Sequence, residues 1–280
     1  MRSKLPYLGL LALLVAGCGG SGDSTPAGSG ATLYFVTNGD TLVTTRENTP
    51  GTVRQRLPIF GLDQEEDIVG IDVRPATGEL FALADSGRLF TIDTVTGDAT
   101  QVGSGSIGFD VSGGPTGFDF NPTVDRIRVV KQDGTNFRVN PITGAGVDGN
   151  PGAEGLQPDT AINPGGFTIT GVGYSNNVGT ATTTTMYAID TQGDRLVRVG
   201  GLDGPPSPNL GGTTAIGSLG VNVADTASSF DITPTGLAYA TFISGNRARV
   251  YSIQLSTGAA TELGALPASD GTVTAFAVRN

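Results

Sequence analysis

One short phrase recurs five times along this chain: a small residue followed by an apolar–acidic–apolar triplet, or a variant of it. It reads Gly70-Ile71-Asp72-Val73, Gly117-Phe118-Asp119-Phe120, Gly171-Val172-Gly173-Tyr174, Ser229-Phe230-Asp231-Ile232 and Ala275-Phe276-Ala277-Val278. The central apolar positions, 71, 118, 172, 230 and 276, lie 47, 54, 58 and 46 residues apart. Propeller blades repeat at about 40–50 residues, and only strand-like segments separate these phrases. Small antiparallel sheets repeated around an axis are what this period demands.

Each repeat then continues in the same order. After Ile71 come Leu80-Phe81-Ala82-Leu83, Arg88-Leu89-Phe90-Thr91-Ile92, a Thr96-Gly97 turn and Ala99-Thr100-Gln101-Val102. After Phe118 come Arg126-Ile127-Arg128-Val129-Val130, Asn136-Phe137-Arg138-Val139, Thr143-Gly144 and a weaker Ala145-Gly146-Val147. After Phe230 come Leu237-Ala238-Tyr239-Ala240, Arg249-Val250-Tyr251-Ser252-Ile253, Thr257-Gly258 and Ala260-Thr261-Glu262-Leu263. The third unit is looser, with Met186-Tyr187-Ala188-Ile189-Asp190 and Arg195-Leu196-Val197-Arg198-Val199 before a Gly/Pro-rich stretch reaching Ile216. Short β-branched and aromatic runs bounded by Gly, Asn, Asp and Pro are strand-and-turn signals. Several are apolar at consecutive positions, as suits strands covered on both faces. The 44 glycines fit many tight turns.

The fifth unit is split. Residues 271–280 supply only an innermost strand, and the missing strands stand at the other end: Thr32-Leu33-Tyr34-Phe35-Val36, Thr41-Leu42-Val43-Thr44-Thr45 and Val53-Arg54-Gln55-Arg56-Leu57. Pairing the two ends in one blade closes the ring and hides sheet edges. The expected fold is an all-β propeller of five blades, each of four antiparallel strands, over residues 31–280. Six blades are the alternative if the long third unit hides another.

The first thirty residues are a separate matter. A basic Met1-Arg2-Ser3-Lys4 precedes an apolar stretch, residues 5–17, too short to span a bilayer. It ends Leu14-Val15-Ala16-Gly17-Cys18, which resembles a bacterial lipobox, with an ordinary secretory signal as the alternative. Residues 1–17 then read as a lipoprotein signal peptide, and Cys18, the sole cysteine, as the lipid attachment point. Residues 18–30, rich in Gly and Ser, read as a flexible tether. Asp is absent after Cys18, so in a cell with two membranes the resemblance implies the outer one, with the domain exposed to the periplasm or cell surface.

Removing Arg2 and Lys4 leaves 14 basic against 26 acidic residues. Nucleic-acid binding needs a phosphate-neutralising basic surface and is excluded as a partner class. A monomer is expected.

The second repeat carries a family resemblance. Gly117-Phe118-Asp119-Phe120-Asn121-Pro122, Asp125-Arg126-Ile127-Arg128-Val129-Val130 and Asn136-Phe137-Arg138-Val139-Asn140-Pro141 resemble the signature of the bacterial DUF4394 family. Gly70-Ile71-Asp72-Val73-Arg74-Pro75 and the run from Thr182 to Asp190 are similar to the same pattern. The resemblance covers about residues 33–278. It implies a secreted or surface domain of unassigned function, with no catalytic residues to carry over.

For chemistry, absences decide most. There is no His, which excludes a Ser-His-Asp triad and a His proton shuttle. No P-loop or dinucleotide fingerprint precedes a helix. Three carboxylates, Asp72, Asp119 and Asp231, occupy one position on the innermost strands of three blades, so they are expected to converge on the axis. They could bind Ca²⁺ through oxygen, act on a sugar as a carboxylate pair, or accept hydrogen bonds from a neighbouring blade's backbone. Position 173 is Gly and position 277 is Ala, so the acidic ring is incomplete.

Arg126 and Arg128 alternate on one strand face, and Arg138 lies on the next strand. Their forks could receive a carboxylate or phosphate ligand, or pair with Asp125 and Asp133. The run Asp63, Glu65, Glu66, Asp67 reads as a solvated loop, and Tyr34, Tyr174, Tyr187, Tyr239 and Tyr251 as blade packing. Two functions follow: an extracytoplasmic, lipid-anchored binding or scaffold module for a protein, glycan or small ligand, and a carboxylate-based hydrolase or lyase acting on extracytoplasmic carbohydrate. The lack of His and the incomplete ring favour the first.

Overall fold

The computed structural model describes residues 30–113, 116–223, 228–244 and 247–280. The expected signal peptide, Cys18 and the expected tether as far as residue 29 lie outside these residues. Strands β1 (Thr32–Thr37), β2 (Thr41–Arg46) and β3 (Gln55–Pro58) open the chain. The first blade follows as β4 (Ile68–Val73), β5 (Leu80–Ala84), β6 (Arg88–Ile92) and β7 (Ala99–Ser106), and the second as β8 (Thr116–Asn121), β9 (Arg126–Lys131), β10 (Asn136–Val139) and β11 (Gly146–Val147). The third holds β12 (Ile169–Tyr174), β13 (Met186–Asp190), β14 (Arg195–Val199) and β15 (Thr213–Ser218). The fourth holds β16 (Ser228–Ile232), β17 (Ala238–Ser244), β18 (Arg247–Ile253) and β19 (Ala260–Ala265), and β20 (Val273–Arg279) ends the chain.

These strands form five four-stranded antiparallel sheets, one of them ordered β20-β1-β2-β3. The protein is a five-bladed β-propeller, and the long third unit holds one blade. Closure pairs Leu33 with Val278, Phe35 with Phe276 and Val36 with Ala275, so both ends of the chain share the fifth blade.

Apolar cores fill the wedges between blades. Phe81 and Leu83 of the first blade pack with Phe118, Phe120 and Val129 of the second. Ile71 and Ala82 pack with Tyr34, Val36 and Ala275 of the fifth. Inner strands approach so closely that a Cβ on Gly70 would stand 2.7 Å from the Phe118 side chain, which is why a small residue precedes each triplet. Farther out, Gly144 of the Thr-Gly turn has φ +67, and its missing Cβ would lie 2.2 Å from the Val102 carbonyl of the preceding blade. That turn staples neighbouring blades because only glycine permits both the conformation and the contact.

The wedge between the second and third blades differs. Along β9 and β10, Ile127, Val129, Phe137 and Val139 face the first blade. Strand alternation turns Arg126, Arg128, Asn136 and Arg138 toward the third. There the apolar cluster draws only Val130 from the second blade, and polar groups fill the remaining space.

Candidate functional site

At the axis, Asp72, Asp119 and Asp231 come together, each fully buried, with one carboxylate oxygen apiece within 4.8 Å of the others. The inner edge of every blade turns unpaired backbone N–H groups toward the axis, where they need acceptors. Asp72 Oδ2 accepts from Phe120 N at 2.7 Å, Asp119 Oδ1 from Tyr174 N at 3.0 Å, and Asp231 Oδ2 from Val278 N at 2.6 Å. Each thus reaches the residue after the matching position in the next blade. Two blades follow a position that lacks the acid, Gly173 or Ala277. In those blades Asp72 Oδ1 accepts from its own neighbour Val73 N at 2.6 Å, and Asp231 Oδ1 from Ile232 N at 2.5 Å. Three carboxylates therefore serve all five inner strands.

Five of the six oxygens are so occupied, and Asp119 Oδ2 is buried with no donor among the described residues. Burial pushes all three acids upward, Asp231 to about 6 and the other two well above the ordinary range. The Asp231 charge raises Asp72 further, and the charges of Asp72 and Asp231 raise Asp119. A proton on Asp119 Oδ2, donated to Asp231, satisfies the last atom and removes one of three mutually repelling charges. A Ca²⁺ ion takes about 6–8 oxygens, whereas the ring presents three carboxylates already engaged by N–H donors. The adjoining axial gap, lined by Ile71, Phe118 and Phe230, has a volume of about 10 Å³. That is at the lower limit for one water, about 10–15 Å³, and no saccharide can reach the acids through it.

The second constellation lies between the second and third blades, where innermost strands β8 and β12 end. Asp159, from the long loop between β11 and β12, is 2 % exposed in its side chain and accepts from two arginines. Arg138 clasps it with Nε and Nη2, each at 2.7 Å. Arg128, equally buried, gives Nη1 to Asp159 at 2.7 Å and to Asn136 at 2.8 Å, Nε to the Tyr174 hydroxyl at 3.2 Å, and Nη2 to Asn209 Oδ1. Burial works against the Arg128 charge; Tyr174 and Asp159 more than offset it and hold its pKa above the usual value. Tyr174 also links the two constellations, since its N–H goes to Asp119 and its hydroxyl to Arg128.

Above this network opens a cavity of about 410 Å³. Its walls include all three arginines singled out from the sequence, Arg126, Arg128 and Arg138, together with Tyr174, Asn121 and Asn209. Thr183, from the β12–β13 loop, and Asp203, from the β14–β15 loop, stand at the exposed side. Arg126 donates to the carbonyls of Val124 at 3.4 Å and Asp125 at 2.8 Å, and among the described residues it has no carboxylate partner.

The expected partners of the arginines need correction. Asp125 pairs with Arg74, whose Nε donates to it at 2.9 Å, because it sits in the β8–β9 turn facing the first blade. Asp133 accepts from Thr135 N at 2.9 Å and lies 3.8 Å from Lys131. The acidic run is not wholly solvated either: Glu66 is buried and bound by Ser86 and Arg88. Asp159, Asn136 and Asn209 escaped sequence reasoning. Asp159 and Asn209 stand in loops without periodicity, and Asn136 reads as an ordinary strand-edge residue.

A family model described as "Domain of unknown function (DUF4394)" matches residues 41–277. No curated protein matches the chain. Among solved structures, a chain in the crystal structure of a nidogen/laminin complex is similar at TM-score 0.52 and 11% identity, over 90% of this chain and 99% of that one. The WD40 domain of coronin from Toxoplasma gondii gives TM-score 0.41 at 10% identity, over 84% of this chain and 57% of that one. U3-55K gives TM-score 0.39 at 10% identity, over 69% and 50%. At such identities the first likeness shows the fold alone.

Proposed function

The chain belongs to the DUF4394 family, a domain of unknown function, and on that premise we propose from its own residues that it is a binding module whose ligand enters the cavity between the second and third blades. The observation that carries this reading is the cavity itself, about 410 Å³ with three arginines in its walls. Small-molecule sites are commonly about 300–1,000 Å³, with a few convergent polar groups. The rigid arrangement of Arg128, Arg138 and Asp159 beneath it is the kind of buried support that holds a site in shape.

The carboxylate-hydrolase alternative loses its support at the axis, where the acids are spent on backbone donors and the adjoining gap, about 10 Å³, is too small for a sugar. The module's place in the cell envelope, anchored through acylated Cys18 and tethered by residues 18–30, rests on the lipobox-like Leu14-Val15-Ala16-Gly17-Cys18. A thermal-shift screen of small metabolites and glycans on the full-length chain tests the reading, with Thr183→Trp to fill the cavity mouth. Ligands that stabilise the parent should leave the variant's melting temperature unmoved. Equal stabilisation of both would place the binding surface elsewhere.

A further inference from the structure

Side-chain donors converge on the cavity beside the apolar Val124, Val147 and Pro208. Asn121 has its Oδ1 taken by the backbone N–H and hydroxyl of Thr123, at 3.0 and 2.7 Å. Asn209 has its Oδ1 taken by Arg128. Each amide is therefore left with its N–H₂ group to offer. The Tyr174 hydroxyl accepts from Arg128, which frees its own proton for donation. Arg138 spends Nε and Nη2 on Asp159, and no described residue takes its Nη1. Arg126 has no carboxylate partner among the described residues. Of the carboxylates, Asp159 is consumed by two arginines beneath the floor, and Asp203 stands exposed at the rim.

A concave site offering guanidinium, amide and phenolic donors, with the Asn121 and Asn209 amide oxygens already engaged, calls for an acceptor-rich ligand. This is notable in a chain whose formal net charge is −10, because the general field repels anions while this wedge is built to receive one. Resting on the binding-module reading above, we propose that the ligand is a small organic oxyanion, a carboxylate or phosphate monoester on a hydroxylated body. The oxyanion is held by Arg126 and Arg138 with the amides of Asn121 and Asn209, and Asp203 accepts a ligand hydroxyl at the rim. Arg128 is a positioning residue: its four hydrogen bonds hold Tyr174, Asn136, Asp159 and Asn209 in place beneath the ligand.

The test is isothermal titration of the full-length chain with glucuronate, glucose 6-phosphate, inorganic phosphate and glucose, against the parent, Arg126→Gln and Thr183→Trp. Arg126 holds no buried partner, so Arg126→Gln should fold normally, as circular dichroism and an unchanged melting temperature will verify. Binding of glucuronate or glucose 6-phosphate but not glucose is expected, with Kd about 10- to 100-fold weaker in Arg126→Gln, as for a lost charged hydrogen bond. Added salt should weaken it further. The two organic anions separate a carboxylate from a phosphate source. Inorganic phosphate binding as tightly as either would overturn the organic body but keep the oxyanion. If glucose binds as well as the acids and Arg126→Gln changes nothing while Thr183→Trp abolishes binding, the anion class fails and the cavity reading stands. If an acid binds equally to all three proteins, the cavity reading fails. No heat and no thermal shift with any of the four probes at millimolar concentration overturns the oxyanion.

Discussion

Replacing Asp119 with Asn should stabilise this protein at neutral pH, although it alters a fully buried residue on an innermost strand. Asn Oδ1 can keep the bond from Tyr174 N, and Nδ2 can donate to Asp231 where the wild-type protein needs a proton. An acid raised by burial stays protonated in the folded chain at pH values where the unfolded chain has released its proton. Folded-state affinity for protons thus exceeds that of the unfolded state, and stability falls as pH rises from the unfolded pKa to the folded one. Below pH 4 the cost is absent; above the folded pKa it is complete. For Asp231, raised from 3.8 to about 6 chiefly by burial, the cost is on the order of 3 kcal/mol and falls on both proteins; what separates them is the cost of Asp119, raised in the same sense by burial and by the charges of Asp72 and Asp231. Glu66, lowered through Arg88 and Ser86 despite burial, contributes in the opposite sense and is common to both proteins. The assay is urea unfolding of parent and Asp119→Asn between pH 4 and pH 8, each with and without chelator. Toward pH 4 the two should converge; near pH 7 the variant should be the more stable, with the higher urea midpoint. A parent that loses stability with chelator and regains it with Ca²⁺, beside a variant that is weaker at pH 7, would refute the shared proton and install a cation in the ring.

Arg128→Met should cost about 3–5 kcal/mol, because Asp159 keeps only Arg138 while remaining buried; an unchanged urea midpoint would show that the pair is solvated. Deleting residues 271–280 removes β20 and bares the inner edge of β1 as well as the faces of two blades. Insoluble or partly unfolded protein is expected, and a monomer with the parent's melting temperature would contradict the shared blade. Cys18→Ala should release the protein from the detergent-dependent membrane fraction, and a variant that stays there would exclude this cysteine as the anchor.

The fold was legible because the same constraints act in every blade. A small residue recurs where inner strands nearly touch, as at Gly70 against Phe118, and a Thr-Gly pair recurs where an outer hairpin docks on the preceding blade. Repetition converts weak local signals into a period. The irregular third unit, whose connection between β14 and β15 is long and Pro-rich, left the blade count open between five and six, because a loop that crosses a neighbouring blade carries no pattern of its own. The split fifth blade was readable because unpaired inner and outer strands at opposite ends have only each other to complete a sheet.

The site was readable by halves, and the division has a physical cause. Arg126, Arg128 and Arg138 were visible because strand alternation writes one face of β9 and β10 as polar where the other blades turn apolar residues toward their neighbours. Their partners were not visible, because a buried arginine must be paired but the loop that pairs it can come from anywhere in the chain. Asp159 arrives from a segment without strand pattern, and the nearer acids Asp125 and Asp133 are drawn to Arg74 and Lys131. The axial acids show the converse. Their convergence followed from repetition, yet their purpose followed only from the accounting of five N–H groups against six oxygens. In that count the absences at Gly173 and Ala277 do not leave gaps: Asp72 and Asp231 turn a second oxygen back to their own strands, so three acids serve five blades and one oxygen remains to hold a proton.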